Sequence, residues 1–233
     1  MKYVTIPDNA QRRLPFYLAM EEYVAAHVDE ESFFMWRVAP TVIIGRNQVL
    51  ENEVNMEYCR KAGVLVVRRK SGGGCVYSDM GNMMISFISD RGDVSAVFDR
   101  YMSALAASLC DLGLPAVASV RNDIMVDGRK VSGNAFHQLP DRSIVHGTLL
   151  YSTDLEALTE AIRPPVEKLQ RHGVESVRQR VVNLAEYKDV SPVLDSAETL
   201  EDHLVSWFTD GRIELTAEQV AEIEEMEKEY QIY

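Results

Sequence analysis

Arg68-Arg69-Lys70-Ser71-Gly72-Gly73-Gly74-Cys75-Val76-Tyr77-Ser78-Asp79-Met80-Gly81-Asn82 is the stretch on which the reading of this chain turns. The run Val64-Leu65-Val66-Val67 before it is β-branched and apolar, so a strand delivers the three cations to its end. Val76-Tyr77 and residues 83–88 after it have the same strand character. The consecutive glycines between these strands carry no Cβ, so their amide N–H groups can close on an anion or lie flat against a ligand. The plain alternative is a flexible hairpin with a solvated basic rim. Two common nucleotide motifs are excluded. The chain contains no GxxxxGK[ST], and the Gly72-x-Gly74 pair is followed by Tyr77 where a dinucleotide fingerprint requires glycine.

Outward from this loop, residues 14–28 read as a helix, and residues 33–38 and 42–44 as short strands separated by Ala39-Pro40. Asn55 is placed to cap a helix to Ala62 that Gly63 ends. Val94, Val97, Phe98, Tyr101, Leu105, Leu109 and Leu112 recur at three- and four-residue spacing and predict a helix over residues 94–112. Strands follow at residues 123–126, 130–137 and 144–151, the first two joined by Asp127-Gly128, a hairpin signal. Residues 155–162, 199–208 and 217–230 then read as helices. The order is helix, sheet, helix, sheet, helices, which predicts an α+β fold with a mixed, mostly antiparallel sheet core flanked by helices.

The chain has 233 residues, 24 Lys+Arg against 36 Asp+Glu, and a formal net charge of −12. That balance argues against broad phosphate-backbone contact, so no nucleic-acid partner is expected. Charges are screened beyond about 8 Å at physiological salt, so a small basic pocket can still hold an anion on an acidic protein. No apolar run reaches the roughly 18–20 residues of a membrane helix, and the N-terminus lacks a signal-peptide core, so no membrane partner is expected. Cys59, Cys75 and Cys110 form no CxxC pair, which fits a reducing cytoplasm.

Two further segments carry candidate chemistry. Arg121-Asn122-Asp123 is followed by Lys130-Val131-Ser132-Gly133-Asn134-Ala135, where a lysine at a strand start can point into a pocket that small residues leave open. The alternative is an exposed lysine on a plain hairpin. His146-Gly147-Thr148 lies inside an apolar strand, where a lone histidine is more often a hydrogen-bonded core residue than a catalyst.

Taken together, these segments resemble the lipoate–protein ligase A family. Its helix, W-x5-V-x-I-G-R-x-Q, R-R-x-[ST]-G-G-G-x-V-[YF]-x-D-x-G-N, R-N-D, K-x-S-G-x-A and H-G-T-L-L blocks are matched in order. The matches are Glu21-Glu22, then Trp36 through Val42, Ile44, Gly45, Arg46 and Gln48, then the stretch quoted above, Arg121-Asn122-Asp123, the Lys130 segment and His146-Gly147-Thr148-Leu149-Leu150. Ser176-Val177-Arg178-Gln179-Arg180-Val181-Val182-Asn183-Leu184 continues the likeness, which spans about residues 14–184. The resemblance implies a fold like that of class II aminoacyl-tRNA synthetases and biotin–lipoate ligases. It implies a catalytic domain over residues 1–190, with residues 191–233 a helical extension packed on it.

The activity implied is two-stage. Lipoate and ATP, with Mg²⁺, form lipoyl-AMP, and the lipoyl group then passes to a lysine of a lipoyl-acceptor domain. On this resemblance Arg69, Gly72, Gly73, Gly74, Cys75, Val76, Tyr77, Asn82, Asp123 and Lys130 bind ATP or lipoyl-AMP. Gly73, Gly74, Lys130, Ser132, Gly133, His146 and Gly147 hold lipoate, with Ile44, Val76 and Val131 as lining. Lys130 is the catalytic residue and Asp123 the Mg²⁺ ligand. The acceptors implied are apo lipoyl domains of 2-oxo-acid dehydrogenase E2 subunits and the glycine-cleavage H protein, docked through Arg171, Arg178 and Arg180.

Full-length ligases of this family carry an accessory C-terminal domain, and this sequence ends about where it begins. A lipoyl or octanoyl transferase that takes a pre-activated donor, or a ligase that needs a separate accessory-domain protein, is therefore the second reading. A cysteine acyl-enzyme is disfavoured, because residues 141–145, where related octanoyltransferases place the nucleophile, contain none. The biotin-ligase loop G-R-G-R-x-G-R-x-W is absent. A non-catalytic lipoyl-binding module is the remaining alternative. From Glu214 to Glu229 there are seven Glu and one Lys, with apolar residues at helical spacing, which reads as a packing helix with an acidic outer face.

Overall fold

Alternation with period two along residues 82–90 organises the layers. Met83, Ile85 and Phe87 enter one core cluster, while Met84 and Ile88 enter another on the opposite face of the sheet. The computed structural model describes residues 1–8, 10–119, 121–162 and 180–233. Its elements are β1 (Lys2–Thr5), α1 (Leu14–His27), β2 (Ser32–Trp36), β3 (Thr41–Ile44), α2 (Leu50–Glu53), α3 (Met56–Ala62), β4 (Leu65–Arg68), β5 (Val76–Ser78) and β6 (Asn82–Asp90). They continue with α4 (Val94–Asp111), β7 (Ala116–Ala118), β8 (Asp123–Val126), β9 (Arg129–Gln138), β10 (Arg142–Leu150), α5 (Leu155–Ala161), α6 (Ala197–Phe208), β11 (Arg212–Glu214) and α7 (Ala217–Met226).

Among the described residues the strands form an 8-stranded sheet, β11-β1-β2-β6-β10-β9-β8-β7, and a 3-stranded sheet, β4-β3-β5. The pairs β1/β11, β1/β2 and β3/β4 are parallel and the others antiparallel. The fold is therefore α+β with a mixed, mostly antiparallel sheet. Helices α4 and α6 cover one face of the large sheet through Tyr101, Leu105, Leu109, Leu200 and Leu204. Helices α1 and α7 cover the other through Phe16, Met20, Val24, Val220 and Ile223. The small sheet packs its own cluster, Val42, Val66 and Tyr77, against Cys59 of α3 and Ala161 of α5. Each fully buried large apolar side chain contributes about 1.5–3 kcal/mol, so these three clusters hold the layers together.

Local signals set several boundaries. The Asn55 side chain accepts from the Tyr58 amide at the start of α3, and Gly63 caps its end. Asp93 caps α4, Ser196 caps α6 and Thr216 caps α7. Other elements lie outside the sequence expectations. Strands β1 and β11 are short and exist through long-range pairing, and the short edge strand β7 exists through its pairing with the neighbouring β8. The expected helix over 217–230 ends as α-helix at Met226 and tightens to a 3-10 turn at Glu227–Glu229, from which the chain turns back. Tyr233 then donates its amide to the Val66 carbonyl at 3.0 Å and Ile232 bridges Val67, so the last residues lie along β4. No described helix is long and apolar enough to cross a membrane.

Candidate functional site

The glycine loop joins β4 to β5 and lies over the face of β9 and β10 that α1 covers. A Cβ placed on Gly73 would stand 3.7 Å from the Ala135 Cβ on β9, and Gly73 has φ +92°, a conformation side chains resist. Gly73 and Gly74 are exposed. Among the described residues no group accepts from the amides of Gly72, Gly73 or Gly74. Three adjacent unpaired N–H groups in a turn make an anion-binding concavity.

The three cations before the loop do not stand free. Arg68 Nη1 donates to the carbonyls of Gly45, Arg46 and Gln48 at 2.9, 3.2 and 2.8 Å, and its Nε donates to the Tyr233 hydroxyl at 2.8 Å. Lys70 Nζ pairs with Glu22 at 2.9 Å and Glu229 at 3.3 Å. Arg69 is buried, with Nη2 donating to the Gly72 and Gly74 carbonyls at 2.6 and 2.8 Å and Nη1 to the Ile43 carbonyl at 3.2 Å. By drawing carbonyls inward, Arg69 fixes the shape of the loop. Burial pulls its guanidinium down to about 10, which leaves it charged at neutral pH.

Lys130 reaches the same face through a β-bulge. Across the β8/β9 pair, Ile124 faces Ser132 but Met125 faces Lys130, so Val131 is an extra residue. Without it Lys130 would share the parity of Ser132 and Asn134, whose side chains are buried on the core side. The bulge turns Lys130 to the face of Gly133 and Ala135. Its side chain then runs back along β9. An alanine Cβ at Gly133 would lie 2.5 Å from Lys130 Nζ and 2.7 Å from its Cε, so the ammonium occupies the space that Gly133 leaves open. Asp123, directly across from Gly133, holds Nζ at 2.7 Å in an ion contact whose angle falls short of a hydrogen bond. The ammonium thus sits about two residues of strand, roughly 7 Å, from Ala135, the residue that the glycine loop touches. The Val182 amide donates to the Lys130 carbonyl at 3.0 Å and steadies the bulge from behind.

A cleft of about 660 Å³ opens beside the loop, lined by Gly72, Gly73 and Ala135 with Phe98, Phe136 and Arg121 among its walls. Asp123 and Lys130 are not part of that lining. The aromatic pair Phe98 and Phe136 stands 6.4 Å apart edge to face, giving the cleft an apolar wall that sequence periodicity assigns only to packing.

The remaining candidates fall in different places. His146 and Gly147 are buried on β10. Ser132 lies on the core side with its hydroxyl 3.4 Å from Asn134 Oδ1, and Val131 is fully buried in the core under α4, so neither side chain faces the loop. Tyr77 is buried in the small sheet's cluster. Asn82 is fully buried, donates Nδ2 to the Tyr77 carbonyl at 3.2 Å, and has no partner on Oδ1. Cys75 and Val76 are half-buried, and burial pushes the Cys75 thiol up to about 12, which keeps it protonated. Arg180 is exposed, and Arg171 and Arg178 lie outside the described residues. No three His, Cys, Asp or Glu side chains among the described residues group as a metal site.

A family model described as the lipoyl protein ligase A/B catalytic domain matches residues 14–208. Lipoate-protein ligase LplJ of Bacillus subtilis (strain 168) is 41% identical over 175 residues, 74% of this chain and 53% of that protein. The chain thus spans about half the length of the curated relatives it matches. A chain from the structural analysis of an archaeal lipoylation system, a bi-partite lipoate protein ligase and its E2 lipoyl domain from Thermoplasma acidophilum, superposes with a TM-score of 0.83 at 27% identity, over 97% of this chain and 91% of that one. A crystal structure of lipoate-protein ligase A bound with ATP superposes at 0.81 and 25% identity, over 98% and 95%. With a family match running from α1 to the end of α6, the chain belongs to the lipoyl protein ligase A/B catalytic-domain family.

Proposed function

We propose that this chain activates lipoate with ATP to lipoyl-AMP and transfers the lipoyl group to a lysine of an acceptor domain. The observation that carries the reading is the Lys130 ammonium, re-aimed by the bulge and seated over Gly133 on the face where the unpaired amides of residues 72–74 lie. A carboxylate is a poor electrophile. In the first step a lipoate carboxylate oxygen attacks the α-phosphorus of ATP and pyrophosphate leaves. In the second the acceptor's ε-amine attacks the acyl carbon, the bond to the phosphate oxygen breaks, and AMP leaves while the amine loses a proton.

Both steps build negative charge between the acyl oxygen and the α-phosphate. A fixed ammonium on one side and fixed amides on the other meet that charge without reorganising. Arg69 acts from beneath, holding the loop's shape and supplying positive potential. Gly73, Gly74 and Gly133 keep the path along the sheet clear for the lipoyl arm, with His146 beneath it and Ser132 bracing β9 from the core side, where Gly147, expected to hold lipoate, instead makes room for the Asn134 side chain. Cys75 and Val76 are read as the adenosine side, with Tyr77 and Asn82 buried behind them as its backing. Asp123 is a lone carboxylate, which fits a Mg²⁺ that arrives on the triphosphate and keeps most of its water.

We read residues 1–190 as the catalytic unit and 191–233 as its extension, the whole working in the cytoplasm on lipoyl domains of E2 subunits or the H protein. The likeness to a ligase described as bi-partite supports a second reading in which a separate accessory protein is needed for adenylation. A cysteine acyl-enzyme is not supported, since the Cys75 thiol is held protonated. The test is incubation with lipoate, ATP, Mg²⁺ and an apo lipoyl domain, read by intact mass, with pyrophosphate release measured in parallel. Lipoylation with release supports a self-sufficient ligase. Lipoylation only from presynthesised lipoyl-AMP supports the second reading, and neither product rejects both.

A further inference from the structure

Behind the glycine loop runs a chain of buried hydrogen bonds that the two steps above do not use. Arg69 Nε donates to Ser71 Oγ at 3.0 Å, Ser71 Oγ lies 2.7 Å from His146 Nε2, and His146 Nδ1 lies 2.8 Å from Glu21 Oε2. The other Glu21 oxygen accepts from Ser86 Oγ at 2.6 Å, which itself accepts from Trp36 Nε1 at 3.0 Å. Glu21, Ser71, Ser86 and His146 are all buried. The sheet explains how they meet. Ser86 on β6 and His146 on β10 are direct cross-strand partners on the face that α1 covers, and Glu21 comes down on both from α1.

The two ends of the chain fix its direction. A guanidinium can only donate and a carboxylate can only accept. Ser71 Oγ accepts from Arg69, and its own hydrogen has His146 Nε2 as its one acceptor among the described residues, which assigns the ring proton to Nδ1 facing Glu21. Serine, histidine and glutamate in this order resemble a nucleophilic triad, but Ser71 is only 2% exposed and its oxygen already accepts from the guanidinium. It has neither an approach path nor a free, electron-rich oxygen, so nucleophilic attack does not fit.

The chain fits a different need. Among the described residues Arg69 touches no carboxylate, since its partners are the Ser71 hydroxyl and backbone carbonyls. A buried guanidinium requires a counter-charge. We propose that Glu21 is that counter-charge, acting through His146 and Ser71, so that these three are positioning residues for Arg69 and hence for the loop at residues 72–74. The catalytic consequence rests on the ligase reading, but the control of loop shape does not.

The test compares the full chain with Glu21→Gln, Ser71→Ala and their double variant. Exchange of the Arg69 Nε hydrogen and of the amides at residues 72–74 is followed by NMR, alongside lipoyl-AMP formation. Each single change is expected to speed those exchanges and slow lipoyl-AMP formation by about 10-fold, with Ser71→Thr, which keeps the hydroxyl, closer to wild type. Because Glu21 and Ser71 meet only through His146, the double variant should be no worse than the worse single. Wild-type exchange in Glu21→Gln, or effects that multiply in the double, would overturn the proposal. If the unaltered chain forms no lipoyl-AMP, the ligase reading fails while the exchange data still decide the inference. Should Glu21→Gln fail to fold, Ser71→Ala against Ser71→Thr makes the same comparison.

Discussion

Replacing Gly133 with alanine moves the Lys130 ammonium while leaving the strand in place. The added methyl would lie 2.5 Å from Nζ and 2.7 Å from Cε of Lys130. Non-bonded heavy atoms settle near 3.5–4.0 Å, so the ammonium must retreat by about 1 Å. The obstacle is the end of a flexible side chain, and its retreat breaks only the partly exposed ion pair with Asp123, worth at most about 1 kcal/mol. Thermal unfolding should therefore shift by no more than about 4 °C. Catalysis is more sensitive. A misplacement of about 1 Å costs roughly 10²-fold, which is about 2.7 kcal/mol of transition-state stabilisation. The assays are lipoyl-AMP formation, transfer from presynthesised lipoyl-AMP and a thermal melt on the same preparation. A wild-type rate in Gly133→Ala would refute the placement of the ammonium. A large fall in melting temperature would show that the glycine serves the backbone instead.

Lys130→Ala should keep the fold and lose transfer from presynthesised lipoyl-AMP altogether, and normal transfer by the folded variant would remove the role assigned to it. Cys75, held protonated by burial, should resist alkylation at pH 8 far longer than exposed Cys110, and Cys75→Ser should remain active; a trapped thioester on Cys75 would contradict this. Arg68→Ala strips a charged donor from three carbonyls of the loop after β3 and should cost about 1.5–3 kcal/mol in urea unfolding, with a raised KM for ATP. Burial lowers His137 below its ordinary value, so the unfolded chain takes the proton first as pH falls through about 6.5. Stability should drop below that pH, and His137→Asn should flatten part of the slope in urea midpoints.

Sequence reasoning reaches elements whose causes are local. Asn55 and Gly63 bound α3 because a cap and a left-handed residue act within one turn, and Asp127-Gly128 turns β8 into β9 for the same reason. It does not reach β1 or β11, whose three- or four-residue runs become strands only by parallel pairing between chain positions some two hundred residues apart. The glycine loop and the Lys130 segment are legible as motifs, but their meeting depends on the unpaired residue Val131, which no composition signal marks. The sequence shows the three cations only as neighbours at the end of a strand. Their actual partners, Tyr233, Glu22, Glu229 and the loop's own carbonyls, come from the distant C-terminus, α1 and backbone turns. Glu21 is legible only as part of a motif, because a glutamate in a helix reads as surface until the sheet beneath places Ser86 and His146 under it.

The most direct test is a crystal structure of this chain with a non-hydrolysable lipoyl-adenylate mimic. The account predicts the acyl–phosphate junction within hydrogen-bond distance of Lys130 Nζ and of the amides at residues 72–74, with Arg69 still bound to the loop's carbonyls. The mimic seated elsewhere, or bound with Lys130 turned away to Asp123 alone, would contradict it.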